Sequence, residues 1–179
     1  MPERLDLVPA GERPDLLADP VAAAIGGLAD PGQVQVAEID PGAADTAEFC
    51  ARYGVGLQES ANCVVVLARR GEERRLAACV VLATTRADVN TLVRKHLGAR
   101  RASFAPMEEA VAATGMEYGG ITPVGLPPGW PLLVDAAVAK ADRVVVGSGL
   151  RRSKLWLPGA VLAGLPGAEV LDGLGQPVR

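Results

Sequence analysis

The residues best suited to chemistry lie in one short segment, Gly119-Gly120-Ile121-Thr122-Pro123. Two adjacent glycines let backbone N–H groups approach a ligand because no Cβ intervenes, and the proline fixes φ and stiffens the segment. A rigid row of N–H groups can hold an attacking water or stabilise an oxyanion without a side-chain nucleophile. Taken alone, the pattern is more typical of a turn, so the catalytic interpretation needs further support.

Two features that follow this loop extend the candidate site. Asp135 ends an apolar strand, where it would either anchor a cationic group, such as a substrate amine, or cap the next helix. From the residues alone, capping is the more common role. Gly147-Ser148-Gly149 follows an apolar run, but Arg152 stands where a dinucleotide fingerprint needs its third glycine. We therefore predict a tight turn at this position.

Two small groups of basic residues are also candidates for a binding role. Either group could neutralise one or two phosphates, and either could equally be a solvated edge. The first group follows the Gly147-Ser148-Gly149 turn and comprises Arg151, Arg152 and Lys154; the second comprises Arg94, Lys95, Arg100 and Arg101. The sequence leaves both interpretations open.

Motifs for metal, nucleotide or nucleophile chemistry are absent from the sequence. It contains no Walker loop, nucleophile elbow, HExxH or zinc-ligand spacing, so we expect neither a metal nor a cofactor. His96, the single histidine, falls on the apolar face of a predicted helix and is expected to be a packed or rim residue rather than a base. The three cysteines lack metal or redox spacing, and those within apolar runs are expected to be buried thiols.

Composition limits the class of protein. A chain of 179 residues fits one domain, and 49% apolar residues support a globular core. The net charge of −3 argues against an extended nucleic-acid-binding surface. We therefore expect any RNA contact to be confined to one end of a strand, and we expect no DNA partner. The apolar runs are too short to cross a membrane, and the odd cysteine count without a signal peptide favours the cytoplasm.

The elements that would position these residues follow from periodicity. Residues 1–32 read as an N-terminal arm with a short helix between 15 and 28, and residues 33–179 as the main domain. Residues 33–39 alternate as a strand does, and a capping box at 45–48 opens a helix that closes at Gly54. Two β-branched runs, 63–67 and 76–82, predict a buried hairpin around Gly71.

The second half alternates helices and strands around a long loop. We predict helices over 88–97 and 106–115, strands at 101–104, 132–134, 143–146 and 168–171, and a functional loop over 115–131. Hairpin neighbours occur beside helix-linked strands, so the sheet should be mixed. The fold class is therefore α+β.

In this order, the motifs resemble a known family. Residues 46–171 are similar to the YbaK and prolyl-tRNA-synthetase-associated editing domains. The resemblance is carried by the Gly119–Gly125 loop block, the apolar strand ending in Asp135, and the segment 146–151. It implies a single α+β domain with a curved, barrel-like mixed sheet surrounded by helices. It also implies hydrolysis of the ester of a mischarged aminoacyl-tRNA, commonly tRNA for proline carrying cysteine or alanine.

The resemblance assigns roles to particular residues. The loop Gly119 to Pro123 would position water or bind the ester carbonyl. Asp135, the Gly147-Ser148-Gly149 turn and Arg151 would lie beside the substrate. The family lysine that is considered important for editing falls at Asn62 in this chain. An amide offers dipoles where an ammonium offers a full charge, so its hydrogen bonds should be about half as strong.

Three functions are therefore carried forward. The first is an aminoacyl-tRNA deacylase that acts in trans on the acceptor end of a mischarged tRNA. The second is a catalytically weakened module that binds an aminoacyl or amino-acid-like ligand, as Asn62 in place of lysine would favour. The third is an esterase for a small molecule other than tRNA.

Overall fold

The computed structural model describes residues 1–178, which form two main sheets and a two-stranded ribbon. The smaller main sheet has the strand order β1-β2-β9-β8, the larger has β10-β7-β4-β3-β6, and the ribbon pairs β11 with β5. The strands are β1 Val8–Pro9, β2 Gln35–Glu38, β3 Ala61–Arg70, β4 Glu73–Leu82, β5 Thr85–Ala87, β6 Arg101–Phe104, β7 Leu132–Asp135, β8 Val144–Gly147, β9 Ser153–Leu157, β10 Ala168–Leu171 and β11 Gly175–Pro177.

Six short helices surround the sheets within the described residues. They begin and end where glycine, proline and aspartate caps dictate; for example, the Asp45 side chain accepts from the N–H of Ala47, and Gly54 closes the same helix with φ +68°. A π-helical turn, Val89–Val93, precedes the third helix. The helices are α1 Asp19–Gly26, α2 Thr46–Tyr53, α3 Arg94–His96, α4 Met107–Thr114, α5 Ala136–Ala139 and α6 Gly159–Ala163.

The five-stranded sheet is mixed, as its sequence patterns predict. The hairpin of β3 and β4 turns at Gly71, and β4 continues into parallel pairing with β7, which in turn pairs in parallel with β10. Both hairpin strands are rich in Val, Leu and Ala and are buried over half of their length. The single α+β domain is confirmed, but the strands divide between sheets and form no closed barrel among the described residues.

The N-terminal segment packs into the main core. Strand β1 pairs with β2, and Leu16, Val21 and Ile25 are buried in the same apolar cluster as Val80 of the large sheet. Residues 1–32, which read as an arm in the sequence, therefore contribute core side chains in the structure.

One edge of β3 is shared between two neighbours, and this creates an opening. Strand β4 covers the whole of the other edge. On the open side, β6 pairs only with residues 66–69 of β3, and Ser60 just before β3 forms a parallel bridge with Val145 of β8. Residues 61–64 lie between these two pairings without a ladder partner on that side. The sheet edge is therefore open along the first four residues of β3, 61–64.

Candidate active site

The opening beside β3 leads into a cavity of about 550 Å³. This volume suits a small organic ligand. Five parts of the chain form its walls: the turn before α2, the start of β3, the end of β6 with α4, the glycine loop, and the segment from the end of β8 to the start of β9. The residues that line the cavity include Thr46, Asn62, Cys63, Gly119, Ile121, Gly147, Arg151 and Lys154.

The glycine loop presents two unpaired backbone donors at this cavity. Gly119 and Ile121 line it, and within residues 1–178 their N–H groups have no protein acceptor. The intervening Gly120 N–H donates to the carbonyl oxygen of Glu117 at 2.9 Å, and the Thr122 N–H points to the sulfur of Met116 at 3.5 Å. Alternate N–H groups are thus used to hold the loop and left available to a ligand. Gly119 has φ +86°, a backbone conformation that residues other than glycine rarely adopt.

The loop rests directly on the end of β8, which fixes its position. The Gly149 N–H donates to the Gly120 carbonyl oxygen at 2.7 Å. A Cβ on Gly147 would lie 2.5 Å from that same oxygen, so only glycine permits this approach. The glycines after β8 therefore act by making room for the loop, and Ser148 is a buried residue that hydrogen-bonds to Ser153.

Arg151 holds the loop from its other side. Its guanidinium donates to the carbonyl oxygens of Tyr118 and Pro41, each at 3.1 Å, and its backbone N–H donates to the Glu117 carboxylate at 2.8 Å. These contacts join the glycine loop to the turn before α2. Arg151 also lines the cavity, so its positive charge contributes to the potential there.

Asn62 projects from the open part of β3 and is oriented by α2. The hydroxyl of Thr46 donates to Asn62 Oδ1 at 2.6 Å, which fixes the amide oxygen. The amide nitrogen has no protein acceptor among the described residues, so its two hydrogens remain available as donors. Asn62 lines the cavity, in agreement with its predicted location.

Lys154 brings a buried positive charge into the same cavity. Only 7% of the residue is exposed, and Nζ donates to the carbonyl oxygen of Ala44 at 3.0 Å, so two of its three hydrogens are left for a ligand. Nζ also lies 5.3 Å from the centre of the Phe49 ring. Burial lowers the pKa of Lys154 from its ordinary value.

Lys154 and Asn62 reach this cavity from different strands. Lys154 is the cross-strand partner of Gly147, and β8 lies beside the start of β3 through the Ser60–Val145 bridge. Their anchors, Ala44 and Thr46, belong to one short segment. The ammonium and the amide therefore converge although 92 positions separate them in the chain.

Cys63 is the cavity's one thiol, and burial raises its pKa. The nucleophilic form of cysteine is the thiolate, so a thiol with a raised pKa stays protonated and inert at neutral pH. Burial likewise raises the pKa of Cys79 to about 12. Cys63 therefore acts as an apolar wall residue, and Cys79 as part of the apolar core.

The mouth of the cavity carries exposed apolar side chains. Phe104 is 64% exposed, Tyr118 59% and Met107 51%. The sequence has two phenylalanines and two tyrosines, and one of each stands at this mouth. Exposed aromatic rings beside an open cavity offer flat surfaces on which a base or another ring can stack.

The structure brings together only part of the predicted site. Five predicted residues line the cavity: Asn62, Gly119, Ile121, Gly147 and Arg151. Five others do not line it: Gly120 and Gly149 are hydrogen-bonded to each other, Thr122 and Ser148 are buried, and Pro123 lines a different cavity. In particular, Thr122 is fully buried, and its hydroxyl accepts from the N–H of Val124.

Asp135 lies elsewhere, contrary to the expectation that it shares a cavity with Asn62. It ends β7, is 5% exposed and is not part of the cavity wall. A Cβ on Gly175 would lie 2.9 Å from its carboxylate, so it faces the ribbon of β5 and β11. It occupies the position before α5, but its side chain makes no capping hydrogen bond. The sequence pattern predicted the position of Asp135 at the end of a strand, but it did not determine the face of the sheet to which the side chain points.

Lys154 is the cavity residue that the sequence did not single out. Within the sequence it is the last of a basic group for which a solvated edge was an equally good interpretation. Arg152 of that group is exposed and donates to the Asp15 carbonyl oxygen. The available signal was the place of Lys154 within β9, a strand whose five residues are all buried.

The structure thus shows an α+β fold with one cavity walled by a glycine loop, Arg151 and Lys154. Comparison with known proteins gives its family. A profile described as the aminoacyl-tRNA editing domain matches residues 40–165. The chain belongs to the aminoacyl-tRNA editing domain family, of the YbaK type.

Several solved structures share this fold. One, named as a candidate trans-editing enzyme for prolyl-tRNA synthetase, has a TM-score of 0.74 and 23% identity, covering 89% of this chain and 96% of that chain. The hypothetical protein APE2540 has a TM-score of 0.71 and 25% identity, with 86% and 95% covered. A scaffold used for epitope grafting has a TM-score of 0.74 and 22% identity, with 89% and 97% covered.

Two further features of residues 1–178 bear on partners. No helix in this range combines the length and apolarity needed to cross a bilayer. No group of three or more His, Cys, Asp or Glu side chains in this range is arranged to hold a metal ion. His96 lies outside the cavity, with Nε2 2.7 Å from the Glu169 carboxylate.

Proposed function

We propose that the chain hydrolyses the ester of a mischarged aminoacyl-tRNA, acting in trans on the acceptor end. One observation carries the proposal: the free N–H groups of Gly119 and Ile121 line the same cavity as the buried ammonium of Lys154. Membership of the editing family supplies the reaction class.

The reaction needs no side-chain nucleophile. A water adds to the ester carbonyl carbon, and negative charge develops on the carbonyl oxygen. The bond from that carbon to the ribose oxygen then breaks, and the ribose oxygen takes a proton from the added water. Gly119 and Ile121 would hold the water or the developing oxyanion, because their donors are fixed before the substrate arrives.

Lys154 would supply the charge that the resemblance places at position 62. Its ammonium is largely removed from water, where a charge interacts more strongly with a developing oxyanion. Asn62 would orient the substrate through its free amide hydrogens, since Thr46 already occupies its oxygen. Arg151 would act as a positioning residue that keeps the glycine loop in place.

The proposed substrate is a mischarged tRNA for proline, and the proposed location of the reaction is the cytoplasm. A structural neighbour named for prolyl-tRNA synthetase editing supports it, together with the family resemblance. The wall residues Ala61, Cys63 and Ala110 are small, which suits a short aminoacyl side chain such as that of alanine or cysteine.

A second candidate is a binding module without turnover. The neutral Asn62 favours it, because the charge expected on β3 is missing. Such a module would be stabilised by a non-hydrolysable aminoacyl-adenosine analogue but would leave the ester intact.

The test is a panel of mischarged tRNAs incubated with the purified protein, with free amino-acid esters in parallel. We expect at least one mischarged tRNA to be deacylated, and free esters to react much more slowly. An intact panel with stabilisation by the analogue would favour the binding module. Comparable hydrolysis of the free esters would indicate a small-molecule esterase.

A further inference from the structure

A second cavity lies along the same two strands as the candidate site. It is lined by Leu67, Ala102 and Ser103, by Asn90, and by four arginines: Arg69, Arg94, Arg100 and Arg101. No carboxylate lines it. The four guanidiniums form no salt bridge within residues 1–178, whereas Arg74 nearby on the hairpin pairs with Glu109.

Concentrated positive charge of this kind, partly offset at Arg69 by Glu109, is unusual in a chain whose net charge is −3. Arginine is also the cation whose planar fork matches phosphate oxygens in a bidentate arrangement. Of the four, Arg69, Arg100 and Arg101 are exposed, and Arg94 is partly buried with Nε bonded to the Asn90 carbonyl oxygen at 2.9 Å. The cavity therefore offers fixed positive charge to an anion in solution.

The two cavities lie along the same two strands, β3 and β6. Val65 and Phe104 line the first, and Arg69 and Ser103 line the second. Four residues at ~3.3 Å each separate Val65 from Arg69 by ~13 Å. That span equals about four stacked nucleotides at ~3.4 Å per step. Phe104, a residue that is 64% exposed, lines the first cavity and is next in the chain to Ser103 of the second.

We propose that the arginine cavity binds phosphates of the tRNA strand whose charged end occupies the candidate active site, which rests on the function proposed above. An aromatic platform followed by positive charge is how proteins hold single-stranded nucleic acid. The terminal nucleotides would lie at Phe104 and Tyr118, and the arginines would contact the backbone where the unpaired end meets the acceptor stem.

The test uses an uncharged acceptor-stem hairpin RNA with an unpaired 3′ end. Its Kd is measured at several salt concentrations for the wild type and for Arg100→Gln/Arg101→Gln. The matched control, Arg4→Gln/Lys140→Gln, removes two charges from exposed residues that line neither cavity. We expect the first variant to bind about tenfold more weakly at low salt, with the slope of log Kd against log salt smaller by about two, one for each charge removed.

Two further measurements separate the outcomes. Arg100→Lys/Arg101→Lys should restore most of the salt slope because the charges are kept. Aminoacyl-adenosine, which has no backbone phosphate, should be hydrolysed equally by the wild type and Arg100→Gln/Arg101→Gln. If the wild type hydrolyses nothing yet the slope changes as expected, the deacylase function fails and the RNA surface stands.

Either of two results would overturn the assignment. The first is a Kd and salt slope for Arg100→Gln/Arg101→Gln that match those of the Arg4→Gln/Lys140→Gln control. The second is displacement of the hairpin by inorganic phosphate at an ionic strength where chloride does not displace it. That result would show a small-anion site rather than an RNA surface.

Discussion

Lys154 and the arginines of the second cavity carry the same charge in opposite surroundings. Lys154 is 7% exposed and its pKa is lowered by burial, whereas Arg100 and Arg101 stand in water. A buried charge acts strongly but over a few ångströms, and removing it from water is costly. Exposed charges act weakly one by one and are screened by salt, but together they attract a polyanion.

The difference suggests a division of work between the two regions. The buried ammonium would stabilise charge that develops during the reaction, and the exposed arginines would hold a substrate whose charge is permanent. Mutations in the first region should therefore lower kcat, and mutations in the second should raise Kd. The following changes test that separation, from the largest expected effect to the smallest.

The largest effect is expected from Lys154→Met, which keeps the length of the side chain and removes its charge. The rate of deacylation at saturating protein should fall about 100-fold, as for the loss of an oxyanion-hole donor. The Kd for the acceptor hairpin should change less than twofold. Single-turnover kinetics and a binding titration measure the two quantities, and a similar loss in both would erase the distinction between the regions.

Gly119→Ala should slow deacylation about tenfold. The alanine would have to adopt a positive φ, and its Cβ would collide with the Arg151 guanidinium. Both effects would displace the backbone donors of the loop. Gly129→Ala is a matched control because Gly129 has φ +82° and no atom within 4 Å of its would-be Cβ. Equal rates for the two variants would show that the Gly119 donor is not used.

Phe104→Ala should weaken binding of the hairpin about fivefold, the loss of one base–aromatic stack. The salt slope should stay unchanged because no charge is removed. A Kd equal to that of the wild type would remove Phe104 from the path between the two cavities. Fluorescence anisotropy of a labelled hairpin is sufficient for this measurement.

The smallest effect concerns pH. The folded-state pKa of Lys154 is lowered, so between that pKa and its ordinary value of 10.5 the unfolded chain binds more protons than the folded chain. Folding stability contributed by this group should therefore rise with pH through that window. The free energy of unfolding of the wild type should increase relative to Lys154→Met toward pH 10.5. A constant difference across that window would show that burial does not lower the pKa.

Local features of the fold could be predicted from the sequence because local physics decides them. The Asp45 cap, the closing glycines and the β3–β4 hairpin each depend on a few neighbouring residues. The division into two sheets could not be predicted in this way. It depends on which distant strands pair, and the Ser60–Val145 bridge joins segments 85 positions apart.

The candidate site shows the same limit. The glycine loop is visible in the sequence because its composition is unusual over five consecutive residues. Lys154 enters the cavity only because β9 pairs with β8 in a register that sets it opposite Gly147. Asp135 was misplaced for the converse reason: its position along β7 is as predicted, but its side chain faces β11.

One measurement tests the central claim most directly: single-turnover deacylation of alanyl-tRNA-Pro by the wild type, Lys154→Met and Lys154→Met/Asn62→Lys. If Lys154 supplies the charge of this editing site, the single variant should lose about 100-fold in rate. The double variant should regain at least about tenfold, since the lysine is returned to the other wall of the same cavity. Equal rates for the wild type and Lys154→Met would contradict the account.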